Sequence, residues 1–117
     1  GIKECGAACL LSIIKYYGGN VSLERLVELT TTTKEGTNFY NIQKAANEIG
    51  LISKGYKIES IDKLIQIEKP FISQIVINNY NHFVVVYKII NGKITIMDPA
   101  RGMIKLSIDE RSFTLNN

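Results

Sequence analysis

Cysteine, histidine and long apolar runs are all scarce in this sequence. It has two cysteines and one histidine, and no apolar stretch approaches the ~20 residues that a transmembrane helix needs. Cys5 and Cys9 lie four positions apart, and on a helix their Cβ atoms would be ~5–6 Å apart, beyond the ~3.5–4.5 Å of a disulfide. Two cysteines and one histidine are also too few ligands for a structural zinc site. We therefore predict no disulfide, metal or cofactor, and reduced thiols favour the cytoplasm.

Charge of one sign is not concentrated in any part of the chain. The net charge is +3, and the lysines are scattered without a basic block or interleaved aromatic residues. Nucleic acid is therefore not predicted as a partner. The chain of 117 residues has 45% hydrophobic and 21% charged residues, which is typical of one globular domain. Because it begins with Gly1 rather than Met, we expect residues 1–117 to be a single domain trimmed from a longer protein.

The first half of the chain predicts helices. Apolar residues at helical spacing, followed by Gly18 and Gly19, predict a helix in "KECGAACLLSIIKYYGG". Ser22 is the predicted N-cap of a second helix in "NVSLERLVELT". A third helix is predicted in "TNFYNIQKAANEIG", capped at Thr37 or Asn38, and a short fourth in "SIDKLIQIE".

The second half predicts strands. "LISKGYKI" predicts a weak strand, and the β-branched segments "PFISQIVI", "HFVVVYKII" and "KITIMD" predict stronger ones. "MIKL" predicts a short last strand, and Ser107–Glu110 fits a capping box that would begin a terminal helix. Helices followed by consecutive strands with short connections predict an α+β fold, with N-terminal helices packed on an antiparallel sheet.

Three residues are candidates for chemistry, and each also has a structural interpretation. His82 begins a strand, where it could simply bond to the backbone. Asp98 precedes Pro99, and Asp-Pro favours the start of a turn. Cys5 could be a small buried hydrophobe. Cys9, one turn further along, belongs to the apolar stripe and is predicted to be core.

Taken together, these three residues favour catalysis. A cysteine at a helix N-terminus has its thiolate stabilised by unpaired N–H groups and the helix dipole. A thiolate needs a base, and the base needs an orienting acceptor. His82 begins one strand and Asp98 ends the next, so in an antiparallel pair both lie at the same edge of the sheet. Cys5, His82 and Asp98 would form a papain-like arrangement in the chain order cysteine, histidine, acid.

That arrangement places a condition on the connection between the two strands. A two-residue Asn-Gly turn with a regular ladder would put Val85 opposite Asp98, and His82 would then point to the other face. We therefore predict a three-residue loop, Ile90-Asn91-Gly92, that puts Val84 opposite Asp98. A β-bulge would achieve the same shift.

Several segments, in order and spacing, resemble one protein family. They are "ECGAACL", "YYG", "VSLERLVELT", "EGTNFYNIQKAANEIG", "NHFVVVYKI" and "ITIMDPARGMIKLS". They resemble the N-terminal cysteine peptidase domain of peptidase-containing ABC transporters. These bacteriocin and lantibiotic exporters cut leader peptides after a double glycine. The resemblance implies a papain-like fold covering nearly the whole chain.

The resemblance also implies roles, partners and a location. Cys5 matches the nucleophile of an Asp-Cys-Gly motif, with Glu4 where Asp is usual. His82 matches the general base and Asp98 the orienting acid. The family's oxyanion-hole glutamine would lie six residues before Cys5, at a position before Gly1. The implied partners are a precursor peptide with a double-glycine leader and the transmembrane and nucleotide-binding domains of the same exporter, at the cytoplasmic face of a bacterial membrane.

Two alternative functions stay open at the level of sequence. One is a docking module that binds the leader peptide without cutting it, although relatives of that kind have lost the nucleophile. The other is a different Cys-His-Asp enzyme, such as an arylamine acetyltransferase-like protein, although such domains are longer. Cutting, binding without cutting, and acyl transfer to an amine would distinguish these functions.

Overall fold

A computed structural model describes residues 2–57, 59–77 and 80–107. The chain divides into two compact units, Gly1–Gly55 and Tyr56–Asn117. Among the described residues, the first unit is helical, and the second contains one short helix and an antiparallel sheet.

The first unit contains a short 3-10 helix, Ile2–Glu4, and three α-helices: α1 (Cys5–Tyr16), α2 (Leu23–Leu29) and α3 (Phe39–Glu48). The helix start predicted at Ser22 is confirmed, because Ser22 Oγ accepts a hydrogen bond from the Arg25 N–H at 3.1 Å. Asn38, rather than Thr37, caps α3, with its Oδ1 accepting from the Asn41 N–H at 2.8 Å. None of the helices in the described part of the chain is long and apolar enough to cross a membrane.

The second unit contains α4 (Ile61–Gln66), β1 (Phe71–Ile77), β2 (Tyr80–Ile90), β3 (Lys93–Asp98) and β4 (Gly102–Ser107). Neighbouring strands are antiparallel, and the spatial order β1-β2-β3-β4 follows the chain. Their buried core contains Leu64, Ile75, Val84, Val86, Ile94 and Ile96. The predicted α+β class is confirmed.

The prediction of a strand in "LISKGYKI" is wrong, because residues 51–57 have no regular secondary structure. The segment is tied to α3 by side chains: Gln43 Nε2 donates to the Ser53 carbonyl at 3.3 Å, and Ser53 Oγ bonds to Asn47 Oδ1 at 3.0 Å. Ile52 is 94% exposed, so the apolar residues here do not build the buried face that a half-buried strand requires. The last residue of that segment, residue 58, lies outside the described residues.

The terminal helix predicted at Ser107–Glu110 lies mostly outside the described residues as well. Its first residue, Ser107, is the last residue of β4, and residues 108–110 are not described.

The three-residue loop predicted between β2 and β3 is also wrong. Ile90 pairs with Lys93, so the turn is the two-residue Asn91-Gly92. Both turn residues have positive φ, +51° for Asn91 and +73° for Gly92, as in the type I′ turn that matches the twist of a hairpin.

The alternative prediction, a β-bulge, is confirmed in β2. Val86 pairs with Ile96 and Lys88 pairs with Thr95, so Tyr87 is an additional residue between them. Beyond the bulge Val85 pairs with Met97, and the next position of that register sets Val84 opposite Asp98. The bulge thereby brings His82, two residues before Val84, onto the face of the sheet that Asp98 occupies.

Candidate active site

His82 and Asp98 form a buried pair within the second unit. His82 lies near the start of β2, opposite Ile75 of β1, and Asp98 is the last residue of β3. Their side chains meet with His82 Nε2 2.6 Å from Asp98 Oδ1. The residues are only 7% and 1% exposed, so little water competes for this contact. The sequence prediction that these two residues meet at one edge of the sheet is confirmed.

Asp98 also organises the turn that follows β3. Its Oδ1 accepts a hydrogen bond from the Ala100 N–H at 2.8 Å, and its main-chain carbonyl accepts one from the Arg101 N–H at 3.0 Å. Its other carboxylate oxygen, Oδ2, accepts from Arg101 Nε at 2.9 Å. Asp98 therefore both begins a turn and contacts the histidine, so its two predicted interpretations do not exclude each other.

The surroundings of Asp98 favour its charged form. Burial alone would raise the pKa of Asp98, but hydrogen bonds from His82, Arg101 and the Ala100 N–H outweigh burial and hold the pKa below its ordinary value. An ionised carboxylate can only accept hydrogen bonds, so Nε2 of His82 must carry the proton of this contact. Nδ1 is then the ring nitrogen that is left, in the neutral imidazole, to accept a proton from another group.

Cys5 begins helix α1, as the sequence predicts. It lies in the first unit and is 7% exposed, whereas Cys9, one turn further along, is 0% exposed. The prediction that Cys9 belongs to the core is confirmed. The first turn of a helix presents main-chain N–H groups that have no intrahelical acceptor, and they favour a thiolate over a thiol. The two sulfurs therefore have different electrostatic surroundings, because Cys5 lies at the positive end of the helix dipole and Cys9 lies one turn inside the helix.

Arg101 is the neighbour of Asp98 whose role the sequence does not reveal. A charged residue in a turn is expected to face solvent, and the Arg101 side chain is 46% exposed. Its guanidinium nevertheless bonds to the buried Asp98 carboxylate. The only signal in the sequence is the spacing of three residues after Asp98, which a turn converts into a contact. In the part of the chain that the structure describes, no group of three or more His, Cys, Asp or Glu residues could hold a metal ion.

A helical N-terminal region with a cysteine at a helix start, followed by an antiparallel sheet with a buried His–Asp pair, defines a papain-like α+β domain. The chain belongs to the Peptidase C39 family, whose model matches residues 2–114. This match confirms the resemblance to the peptidase domains of bacteriocin transporters that the sequence motifs indicate.

Curated relatives include proteins named for processing and transport. The chain is 37% identical over 112 residues to the lactococcin-G-processing and transport ATP-binding protein LagD of Lactococcus lactis subsp. lactis, covering 94% of this chain and 16% of LagD. It is 29% identical over 109 residues to the colicin V secretion/processing ATP-binding protein CvaB of Escherichia coli, covering 93% and 15% of the two chains. The chain thus spans only a small part of these relatives. An uncharacterized protein of Methanothermobacter thermautotrophicus is 32% identical over 115 residues, which is 97% of this chain and 78% of that protein.

Solved structures share the fold. A double glycine motif protease from an AMS/PCAT transporter, solved in complex with the leader peptide, matches with a TM-score of 0.89 and 37% identity over 98% of this chain and 81% of that chain. The peptidase domain of Streptococcus ComA matches with a TM-score of 0.82 and 31% identity over 92% and 81% of the two chains.

Proposed function

We propose that this chain is a cysteine endopeptidase that removes the leader of a precursor peptide after a double glycine. The observation that carries the proposal is the buried contact between His82 Nε2 and Asp98 Oδ1 at 2.6 Å, in a chain of the Peptidase C39 family. A histidine fixed in one tautomer by a carboxylate is what a thiol nucleophile requires of its base. The helix start at Cys5 supplies a suitable thiol.

In the proposed reaction, Cys5 is the nucleophile and His82 the general base. Nδ1 of His82 takes the proton of the Cys5 thiol, and the thiolate sulfur attacks the carbonyl carbon of the second glycine. The resulting oxyanion is stabilised by the main-chain N–H of Cys5. When the peptide C–N bond breaks, the imidazolium returns its proton to the leaving amine, and the leader remains as a thioester on Cys5.

Hydrolysis of the thioester completes the cycle. A water molecule gives one proton to Nδ1 of His82, and its oxygen attacks the thioester carbonyl. Collapse of this second tetrahedral intermediate breaks the C–S bond, and the leader leaves as a carboxylic acid. The sulfur is reprotonated through His82. Throughout both halves Asp98 accepts from Nε2 and stabilises the imidazolium without taking up the proton itself.

We also propose the setting in which this peptidase works. Residues 1–117 would form the N-terminal domain of an ABC exporter, with transmembrane and nucleotide-binding domains as its partners and the cytoplasmic face of a bacterial membrane as its location. The names and lengths of LagD and CvaB support this setting, because the chain corresponds to 16% and 15% of them.

Incubation with a synthetic precursor that contains a double glycine, followed by mass spectrometry of the products, tests the proposed reaction. We expect cutting after the second glycine, loss of cutting in Cys5→Ala, and a large loss in His82→Ala. Cys9→Ala is the matched control, since it makes the same change one turn along the same helix. Leader binding without cutting would support the docking module instead, and transfer of an acyl group to an added amine would support the transferase.

A further inference from the structure

The guanidinium of Arg101 completes the hydrogen bonding of a buried carboxylate. Asp98 Oδ1 receives two donors, His82 Nε2 at 2.6 Å and the Ala100 N–H at 2.8 Å. Oδ2 receives Arg101 Nε at 2.9 Å. The Asp98 side chain is 1% exposed, whereas that of Arg101 is 46% exposed. Arg101 thus links a buried charge to the protein surface.

We propose that Arg101 is a positioning residue, which holds the Asp98 carboxylate in the orientation and charge state that His82 requires. The catalytic part of this claim rests on the proposed peptidase function, and the part that concerns Asp98 does not. Arg101 acts through Asp98: the structure gives its guanidinium a contact with the carboxylate, and the carboxylate contacts the imidazole.

The first argument is geometric. Rotation of a carboxylate about its Cβ–Cγ bond moves both oxygens, so donors on one oxygen alone leave the plane of the group poorly fixed. A directional donor on Oδ2 fixes that plane, and with it the direction from which Oδ1 accepts the proton of Nε2. The Ala100 N–H and the Arg101 Nε–H both come from the turn after β3. This turn therefore supplies a donor to each oxygen of the acid, and Arg101 supplies the one on the oxygen that His82 does not contact.

The second argument is electrostatic. A carboxylate removed from water needs a compensating partner, because burial disfavours its charge. The charged and titratable groups that contact Asp98 among the described residues are His82 from β2 and Arg101 from the turn. Across the ladder, β4 offers Gly102 and β2 offers Val84, and neither has charge. An imidazole carries charge only while both of its nitrogens are protonated, whereas a guanidinium stays charged throughout, so Arg101 gives Asp98 a permanent cationic partner.

The test compares Arg101→Gln, Arg101→Lys and Lys105→Gln with the unchanged chain. Lys105→Gln is the matched control, because it removes one exposed positive charge from neighbouring β4, where Lys105 pairs with Thr95 rather than with Asp98. The first measurement is an NMR titration of the Asp98 carboxyl carbon, together with the ¹⁵N shifts of His82 that report its tautomer. The second is the kinetics of precursor cleavage. Thermal unfolding of each variant confirms that it is folded.

We expect Arg101→Gln to raise the pKa of Asp98 and to reduce the share of His82 that holds its proton on Nε2. We expect kcat to fall about threefold to tenfold with KM unchanged, since the guanidinium acts on the base rather than on the peptide, and a half-exposed ion pair has a modest effect. Arg101→Lys should restore the pKa of Asp98 and recover part of kcat. Lys105→Gln should change none of these quantities.

The proposal is overturned if Arg101→Gln leaves the pKa of Asp98 and the His82 tautomer where Lys105→Gln leaves them. It is also overturned if the loss of activity is a rise in KM at constant kcat, or if Arg101→Lys restores nothing. A shifted Asp98 titration in a chain that cuts no double-glycine peptide would support the role of Arg101 toward Asp98 and contradict the proposed peptidase.

Discussion

At the scale of single residues, Asp98 is the residue with the most functions, because it caps a turn, forms an ion pair and contacts a histidine. Its Oδ1 accepts from both His82 and the Ala100 N–H, and its Oδ2 accepts from Arg101. The sequence predicts the first contact, because antiparallel neighbours place a strand start beside the end of the next strand. It cannot predict the contact with Arg101, because the direction of an exposed guanidinium depends on the path of the turn and not on residue spacing alone.

The two cysteines should differ in reactivity. Cys5 begins α1, where the helix terminus favours a thiolate, whereas Cys9 is fully buried one turn inside. We therefore expect limiting iodoacetamide at neutral pH to alkylate Cys5 much faster than Cys9. Peptide mass mapping checks this, with the denatured chain as the control in which both cysteines react. Equal labelling in the folded chain, or faster labelling of Cys9, would contradict the assignment of Cys5 as the reactive thiol.

Asp98 should make the stability of the chain depend on pH in the acid range. Its pKa is lowered in the folded state, so the folded chain binds fewer protons here than the unfolded chain, whose Asp pKa is about 3.9. The contribution of Asp98 is therefore complete above about pH 4 and is lost as pH falls through the lower, folded pKa. We expect Asp98→Asn to reduce the free energy of unfolding by about 1–3 kcal/mol at pH 7 and to flatten its acid dependence.

Urea unfolding at several pH values measures this dependence. The matched control is Asp62→Asn, which makes the same change at an exposed position in the first turn of α4. If Asp98→Asn and Asp62→Asn have the same effect at every pH, the buried carboxylate does not contribute in the way described.

At the scale of elements, the helix caps and strand cores follow from local chemistry, and the hairpin register does not. Ser22, Asn38 and Ser60 each accept a hydrogen bond from a main-chain N–H three residues later. The sequence predicts the caps at Ser22 and Asn38, and Ser60 has the same chemistry. With a two-residue turn, the pairing of β2 with β3 must shift by one residue before His82 and Asp98 can share a face of the sheet. Because Asn91-Gly92 suits a type I′ turn so well, the strand takes up the extra residue as a bulge instead.

The strand predicted in "LISKGYKI", residues 51–58, is absent from the described residues 51–57 for a different physical reason. A strand depends on a partner and a buried face, neither of which periodicity in one segment can guarantee. Ser53 bonds to α3 through Asn47, so local side-chain contacts replace the ladder.

Deletion of Tyr87 should remove the bulge and preserve the site. The pairs Val86–Ile96 and Val85–Met97 would remain in a regular ladder, so His82 would still share a face with Asp98. We expect a folded chain whose NMR spectrum keeps the hydrogen-bonded Nε2–H signal of His82. Its free energy of unfolding should fall by no more than about 1–3 kcal/mol.

Deletion of Val85, on the other side of the bulge, is the comparison. With Val86 still opposite Ile96, it would bring Phe83 opposite Asp98 and turn His82 to the other face. We expect loss of the Nε2–H signal. Its survival there, or its loss on deletion of Tyr87 in a folded chain, would show that the bulge does not set the register of the site.

At the scale of the whole molecule, the chain is a papain-like α+β member of the Peptidase C39 family. The helices, the four strands of the described sheet, the His82–Asp98 contact and the family could be predicted from the sequence, because each depends on local pattern or on several motifs in order. The identity of the precursor peptide could not be predicted, because a double glycine is too general a pattern to distinguish one precursor from another. The central claim is that Cys5 attacks the carbonyl carbon of the second glycine in a double-glycine leader.

A leader peptide that ends in a Gly-Gly chloromethyl ketone tests that claim most directly, because the ketone places an electrophilic carbon where the scissile bond would be. The account predicts one covalent adduct per chain, formed by displacement of chloride by the Cys5 sulfur and located by peptide mapping. It also predicts much slower labelling when Ala-Ala replaces Gly-Gly, and none in Cys5→Ala. An adduct on Cys9, or equal rates with a scrambled leader, would contradict it.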